Sequence, residues 1–173
     1  MTGTVPRGDK TVANILRSLV PLVALVLLAV WLWWPDAGSR VHVIDPGEDL
    51  RGASRIAPYQ VVSPQGLASG WRPTSSRLDH PTSAVVTLEV GYLSPGEKYA
   101  RYVQSNLRTD DLLGAQIAGA TPDGTLAVEG QPWRRYRTDR GETALVLPGP
   151  VTTLLVTGSA GLDELSALAA SLR

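Results

Sequence analysis

The chain has 173 residues, and its 16 Lys and Arg side chains are balanced by 16 Asp and Glu. This balance argues against nucleic acid as a partner, because nucleic-acid binding needs a concentrated basic surface. The sequence contains no cysteine, which excludes disulfide bonds, cysteine nucleophiles and lipid attachment through an N-terminal cysteine.

Residues 18–34 form an uncharged run of mainly Leu, Val, Ala and Trp. A helix of this length covers roughly 25 Å, close to the ~30 Å hydrocarbon core of a bilayer. Trp31, Trp33 and Trp34 lie at one end, where indole rings prefer the membrane–water boundary, and Arg17 at the other end is expected to reach the headgroups. A cleaved secretory signal is the alternative, but bulky residues follow the apolar core where a peptidase needs small ones. We therefore predict a retained transmembrane helix.

The charges on either side of this span predict its orientation. Residues 1–17 contain Arg7, Lys10 and Arg17 against one acid, whereas acids outnumber bases in residues 35–51. The positive-inside rule therefore predicts a short cytoplasmic tail over residues 1–17. The chain is expected to be a single-pass protein of the cell membrane, with everything after the span extracytoplasmic.

A linker with a short helix is predicted over residues 35–57. Asp45-Pro46-Gly47-Glu48 is a helix-start signal, with a capping Asp, Pro at the first position and Glu at the third. Pro58 should stop this helix. Residues 58–173 then provide enough chain for one domain and too little for two ordinary ones.

Strand patterns dominate the start of this domain. Residues 59–63 (YQVVS) indicate a strand, and residues 70–78 indicate an extended segment that Pro73 confines to a sheet edge or a bend. The clearest strand covers residues 84–92, where apolar and polar residues alternate with the period of a half-buried strand.

The next segment, residues 98–106, is compatible with a helix or a strand. If it is helical, Tyr99 and Tyr102 could line a groove with Arg101 between them. Residues 109–111 (TDD) resemble a cap, and they predict a short helix in the residues that follow.

The remainder predicts a sheet closed by a helix. Residues 161–173 place leucines on one stripe, with acids in the first turn, as a C-terminal helix lying on a sheet requires. We therefore predict the α+β class, an antiparallel β-sheet packed by a C-terminal α-helix. The strand-like runs, separated by turn residues at hairpin spacing, are 125–129, 133–138, 143–147 and 152–157.

The sequence offers little catalytic chemistry. It has two histidines, His42 and His80, and none of the usual nucleophile or phosphate-loop motifs. We therefore expect no enzyme activity, no catalytic residues, no metal site and no cofactor. A hydrolase that uses two carboxylates remains the alternative, because such a pair can be distant in sequence.

The most suggestive cluster is WRRYRTDR, in which arginines alternate with aromatic residues. Arginine forks beside aromatic faces bind phosphates, carboxylates and sugar acids. The alternatives are a solvated strand and an ion pair, in which Arg135 would need a partner such as Glu142. The candidate binding residues are Trp133, Arg135, Arg137 and Arg140.

Several of these segments also carry a family resemblance. The N-terminal span, SGWRPTSSRL, VGYLSPGEKYARYVQSN, QPWRRY and the block from RGETALVLPGP to the C-terminal helix resemble the domain-of-unknown-function family 4245 (DUF4245). The similarity extends from the span to Leu172, and the C-terminal block is its most specific part. The resemblance implies a single-pass actinobacterial protein with an extracytoplasmic domain, and it implies no catalytic residues.

Three functions follow from these observations. We favour a non-catalytic envelope module that binds an envelope protein or an anionic wall component. The alternatives are a hydrolase that acts on envelope polymers through an acidic pair, and an assembly subunit of a membrane complex that acts through its anchor.

Overall fold

A computed structural model describes residues 43–82 and 84–173 of the chain, together with four separate positions, Leu19, Pro21, Val23 and Leu25. Contacts divide the chain into two units, Met1–Arg40 and Val41–Arg173. The predicted span 18–34 lies outside the described residues except at those four positions, all of which are helical and exposed. Arg17, Trp31, Trp33 and Trp34 also lie outside them. Where the structure describes the chain, it contains no helix both long and apolar enough to cross a membrane.

The second unit is built on a seven-stranded sheet in which neighbouring strands are antiparallel. The strand order is β1-β2-β3-β7-β6-β5-β4, so that β1 and β4 are the edges and β7 joins two three-stranded halves. In chain order the elements are α1 (Gly47–Ile56), β1 (Arg72–Thr82), β2 (Val85–Leu93), β3 (Tyr99–Ser105), α2 (Thr109–Gln116), β4 (Thr121–Val128), β5 (Gln131–Arg137), β6 (Thr143–Pro148), β7 (Thr153–Gly158) and α3 (Leu162–Ser171).

Helices cover both faces of this sheet. On one face, Leu165 and Leu168 of α3 and Ala53 of α1 are buried in a cluster with Tyr102. On the other face, Leu112 of α2 is buried in a second cluster. Each large apolar side chain buried in this way stabilises the fold by about 1.5–3 kcal/mol. The structure thus confirms the predicted α+β class, with an antiparallel sheet packed by the C-terminal helix.

The two covered faces explain why β2 differs from the expected alternation. Val86, Thr87 and Leu88 are consecutive in sequence and all three are buried. A strand with one solvated face would expose every second residue. Thr87 is accommodated because its hydroxyl lies 2.7 Å from that of Ser105 on the neighbouring strand.

Local signals account for the first helix and for the first edge of the sheet. The carboxylate of Asp45 accepts a hydrogen bond from the backbone N–H of Gly47 at 2.9 Å, which satisfies a donor at the start of α1. The chain leaves α1 in an extended conformation at Ala57, the residue before a proline. Strand β1 is an edge, as Pro73 predicted, and its register shifts between Pro73 and Ser75.

The strand predicted over residues 59–63 is absent. We call residues 59–65 the strap, because they contact β2 and β3 without joining the sheet. The side-chain amide of Gln104 replaces the missing strand ladder: its oxygen accepts from Val62 N–H at 2.9 Å, and its nitrogen donates to Gln60 O at 2.8 Å. Burial at this place raises the pKa of Tyr59 to about 12.

The strap also pairs with the C-terminus. Ser63 and Arg173 exchange backbone hydrogen bonds at 3.1 and 3.3 Å, and Gln65 N–H donates to Ser171 O at 2.8 Å. The end of the chain is therefore fixed against the segment that precedes β1.

Candidate functional site

The predicted binding residue Trp133 lies in the core. Its side chain is 2 % exposed, and it belongs to the cluster under α3. A buried indole cannot act as a platform for a ligand, so Trp133 contributes packing at this position.

Arg135 and Arg137 lie on the same side of β5 as Trp133, and both bind Asp123. The Arg135 Nε donates to Asp123 O at 2.7 Å and lies 3.2 Å from Oδ2, and Arg137 Nη2 lies 3.0 Å from the same Oδ2. The sequence suggested Glu142 as a partner for Arg135, but the structure provides Asp123 instead. The reason is a register shift in β4 at Gly124, with φ of 95°, which places Asp123 opposite Arg135.

Arg140 lies apart from these side chains, in the turn between β5 and β6. It is exposed, and it lines a cleft of about 610 Å³ on the face of the sheet that α2 covers. The structure therefore does not bring the four predicted binding residues together: Trp133 is in the core, Arg135 and Arg137 are at Asp123, and Arg140 is at the cleft.

The cleft has a floor and two walls. Its floor is formed by the ends of β3 and β7, and one wall by residues 115–118 at the end of α2. The other wall is the β5–β6 turn. The polar and aromatic lining residues are Tyr99, Arg101, Gln116, Thr138, Asp139, Arg140, Glu142 and Thr157.

Tyr99 supplies the exposed aromatic surface of this cleft. Its side chain is 38 % exposed, and its ring lies over Gly91 on β2. A Cβ at Gly91 would lie 2.9 Å from Cε2 of Tyr99, so only glycine allows the ring to lie there. The hydroxyl edge of the ring thus packs next to the backbone of β2.

Arg101 is fixed in the floor by two partners. Its Nη1 donates to Glu89 Oε1 at 2.7 Å, and its Nη2 donates to Gln116 O at 3.3 Å. Both side chains of the ion pair are largely buried. The second contact joins the floor to the end of α2, which holds that wall of the cleft at a defined distance from β3.

The turn that forms the opposite wall is ordered by its own hydrogen bonds. Thr138 N–H donates to Glu142 O, Gly141 N–H donates to Thr138 O, and Glu142 N–H donates to the Thr138 hydroxyl. Gly141 has φ of 77°, which glycine adopts without strain. The turn presents Asp139 and Arg140 from its centre.

The charged side chains of this wall form no ion pair with any residue that the structure describes. Across residues 43–82 and 84–173, no ion pair involves Asp139, Arg140 or Glu142. Within the same residues, no three His, Asp or Glu side chains form a group that could hold a metal ion. The cleft thus offers a ligand two carboxylates and a guanidinium that are not engaged with each other.

A smaller groove lies elsewhere, between the strap and the β6–β7 turn. Its volume is about 370 Å³, and its lining includes Pro58, Val62, Pro150 and Val151 but no charged side chain. Ligand sites usually combine apolar surface with a few polar groups that fix orientation. The groove has polar groups of this kind in Tyr59, Gln60 and Gln104, but the cleft is larger and adds charged side chains.

Sequence reasoning identified part of this site and missed the rest. Tyr99 and Arg101 were linked to a groove only if their segment was helical. The segment is strand β3, whose alternation sends Tyr102 into the core and leaves Tyr99 and Arg101 on the cleft side. Asp139 and Glu142 had no distinguishing signal beyond their place in a turn.

Comparison with known proteins identifies a family and nothing further. No curated protein and no solved structure matches the chain. The model of the family described as "Protein of unknown function (DUF4245)" matches residues 7–172, nearly the whole length. The chain, with its seven-stranded sheet and its cleft, therefore belongs to the DUF4245 family.

Proposed function

We propose that this protein is a membrane-anchored, extracytoplasmic binding module that recognises an envelope component through the cleft. The observation that supports this most directly is the cleft itself, which combines a partly exposed aromatic ring with three charged groups, Asp139, Arg140 and Glu142, that form no ion pair among the described residues. Arg135 and Arg137 are less suited to an anionic ligand, because Asp123 already occupies both guanidinium groups.

Two observations support the anchor. The uncharged run 18–34 has the length and the tryptophan-rich end of a membrane span. Leu19, Val23 and Leu25, the large apolar side chains described within it, are helical and exposed. Exposed apolar side chains on a helix are stable when lipid surrounds them. The excess of basic residues before the span supports a cytoplasmic N-terminus.

The proposal can be tested by site-specific photo-crosslinking of the full-length chain in its native cells. A photoreactive residue, p-benzoylphenylalanine, replaces Arg140 in one variant and Arg137 in a matched control. The two positions lie on the same hairpin and both are exposed, but Arg137 faces Asp123 on the other side of the sheet. We expect a discrete crosslinked adduct from position 140 and none from position 137.

The outcomes separate the two candidate sites. An adduct from position 137 alone would return the binding role to the arginine cluster of β5. No adduct from either position, with both variants present at normal levels, would remove the cleft as a binding site.

One observation favours a second candidate, a hydrolase of envelope polymers. Asp139 and Glu142 line the same cleft, and a pair of carboxylates about 5–10 Å apart is the catalytic apparatus of most glycoside hydrolases. This candidate predicts that the full-length chain releases reducing ends from purified cell walls. Release should then disappear in Glu142→Gln and persist in Glu129→Gln, since Glu129 lies in the exposed β4–β5 turn.

A further inference from the structure

We infer that the cleft binds a saccharide, that is, a neutral ligand rich in hydroxyl groups. This inference rests on the proposed role of the cleft as the binding site, and it adds the chemical class of the ligand. It follows from the aromatic surface of Tyr99, the polar rim and the mixed charge of the lining.

The aromatic surface suits a sugar ring. A pyranose presents C–H bonds on one face, and these pack against the face of an aromatic ring. The hydroxyl edge of Tyr99 lies next to Gly91, and the residue remains 38 % exposed, so that part of its ring is available to a ligand. A large apolar ligand would need a broader aromatic or aliphatic surface than this single ring.

The rim supplies both hydrogen-bond donors and acceptors, which hydroxyl groups require together. Asp139 and Glu142 are acceptors, while Arg140 is a donor. Arg101 uses one N–H for Glu89 and one for Gln116 O, and its guanidinium retains further N–H groups. The carboxylates and guanidinium groups are planar, and they can contact two neighbouring hydroxyls of one sugar at the same time.

The charge of the lining disfavours strongly charged ligands. Arg140 lies in the same lining as Asp139 and Glu142, and the charge of Arg101 is already offset by Glu89. A phosphate or a polyanion would meet the two carboxylates, and a polycation would meet the two guanidinium groups. The volume of about 610 Å³ falls within the range of ~300–1,000 Å³ found for small-ligand sites.

Saturation-transfer NMR and titration calorimetry on the full-length chain test this inference. The chain should be purified in a detergent without a sugar headgroup. The neutral probes are tetramers of N-acetylglucosamine, mannose, galactose and arabinose, and the anionic probe is a tetramer of galacturonic acid. We expect at least one neutral tetramer to bind, with no anionic probe binding more tightly.

Variants assign the binding to the cleft. Tyr99→Ala should weaken the binding of the neutral tetramer by about tenfold or more, because loss of an aromatic contact in a binding site costs much of the affinity. Arg140→Ala should also weaken it. The control Arg77→Ala removes an exposed arginine of β1, which pairs with Asp79, and should leave affinity unchanged.

Each other outcome overturns the inference. Failure of every neutral tetramer to bind would do so, as would neutral binding that survives Tyr99→Ala. If the anionic tetramer binds more tightly than the neutral ones, and Arg140→Ala abolishes that binding, the ligand is an acidic saccharide and not a neutral one. Crosslinking from position 140 would still show whether the cleft is a binding site, so failure of the ligand class is distinguishable from failure of the proposed function.

Discussion

At the scale of single residues, Glu164 joins two parts of the second unit that are distant in sequence. Its carboxylate accepts a hydrogen bond from Gly96 N–H at 2.9 Å, which fixes the turn between β2 and β3 against the first turn of α3. This backbone donor, with the hydroxyl of Ser94 and the N–H of Gly161, lowers the pKa of Glu164 below its ordinary value of 4.5. Hydrogen bonds to the charged form outweigh the small effect of desolvation here.

This contact predicts a pH-dependent contribution to stability. Because the pKa of Glu164 is lower in the folded chain than in the unfolded chain, its stabilising effect is complete above the unfolded value and is lost as the pH falls through the folded value. Glu164→Gln should therefore lower the melting temperature at about pH 7, and the difference from the native chain should narrow toward about pH 3. Differential scanning calorimetry at a series of pH values measures the melting temperatures of Glu164→Gln and of the native chain, and so the difference between them.

Asp163→Asn provides a control for that experiment. Asp163 lies in the same first turn of α3, and so shares its helix-dipole environment, but it makes no hydrogen bond to the β2–β3 turn. If Asp163→Asn reproduces the pH profile of Glu164→Gln, the effect belongs to the helix dipole and not to the Gly96 contact.

The residue scale also shows what pairwise reasoning from sequence omits. Arg135 was expected to need an acid, and it has one, but the acid is Asp123 and not Glu142. The choice depends on one additional residue in β4, because the shift at Gly124 decides which side chain opposes Arg135. A bulge of that kind has no reliable signature beyond the glycine itself.

At the scale of elements, the strap behaves as an eighth strand bonded through side chains. Gln104 is 2 % exposed, and its amide is the acceptor for Val62 N–H and the donor to Gln60 O. Tyr59 adds a hydroxyl contact to Val86 O at 3.0 Å. The first part of the strap is therefore held by side chains, which satisfy backbone groups that a strand ladder would otherwise satisfy, and its last part by backbone hydrogen bonds to Ser171 and Arg173.

Replacing Gln104 should release the strap. Gln104→Leu removes the partners of the Val62 N–H and the Gln60 C=O, which are partly buried, and we expect a loss of about 1–2 kcal/mol in the free energy of unfolding. Urea unfolding measures the total, and hydrogen exchange at Val62 N–H reports whether the strap opens locally.

The control is Gln131→Leu, at an exposed position on β5, which should change stability by no more than about 0.5 kcal/mol. Unchanged exchange at Val62 in Gln104→Leu would show that other contacts hold the strap.

Most elements could be predicted because their signals are local. The acids and leucines of α3, the Asp45 cap of α1 and the hairpin turns between β4 and β7 each act over a few residues. The strap could not be predicted as it is, since an apolar run beside prolines has the same composition whether or not it joins a sheet. The cleft was out of reach for a different reason: Tyr99, Gln116 and Arg140 meet only through the order of the strands.

At the scale of the whole molecule, the proposed orientation predicts that the second unit, Val41–Arg173, is accessible from outside the cell. An epitope inserted in the β4–β5 turn, at the exposed Glu129-Gly130, should be digested by protease added to cells whose wall has been removed. The chain itself should remain with the membranes after alkaline extraction, as a single-pass protein does. The C-terminus is a poor site for the epitope, because Arg173 pairs with Ser63.

Two results would contradict this topology. Protection of the epitope until the membrane is permeabilised would place the unit in the cytoplasm, and extraction by alkali would remove the anchor. Exchange of residues 18–34 for an unrelated spanning helix then distinguishes a simple tether from an assembly subunit. If residues 18–34 are a simple tether, the protein keeps its function after the exchange. If the protein is an assembly subunit, it loses function although its second unit stays folded.

The position of β7 has a consequence for biogenesis. Because β7 lies between β3 and β6, the strands made first form two separate hairpin assemblies, each with an unpaired edge. Until residues 153–158 have been synthesised and folded, β3 and β6 are therefore unpaired edges that can contact neighbouring chains. Pairing of β7 with both β3 and β6 closes these two edges at once.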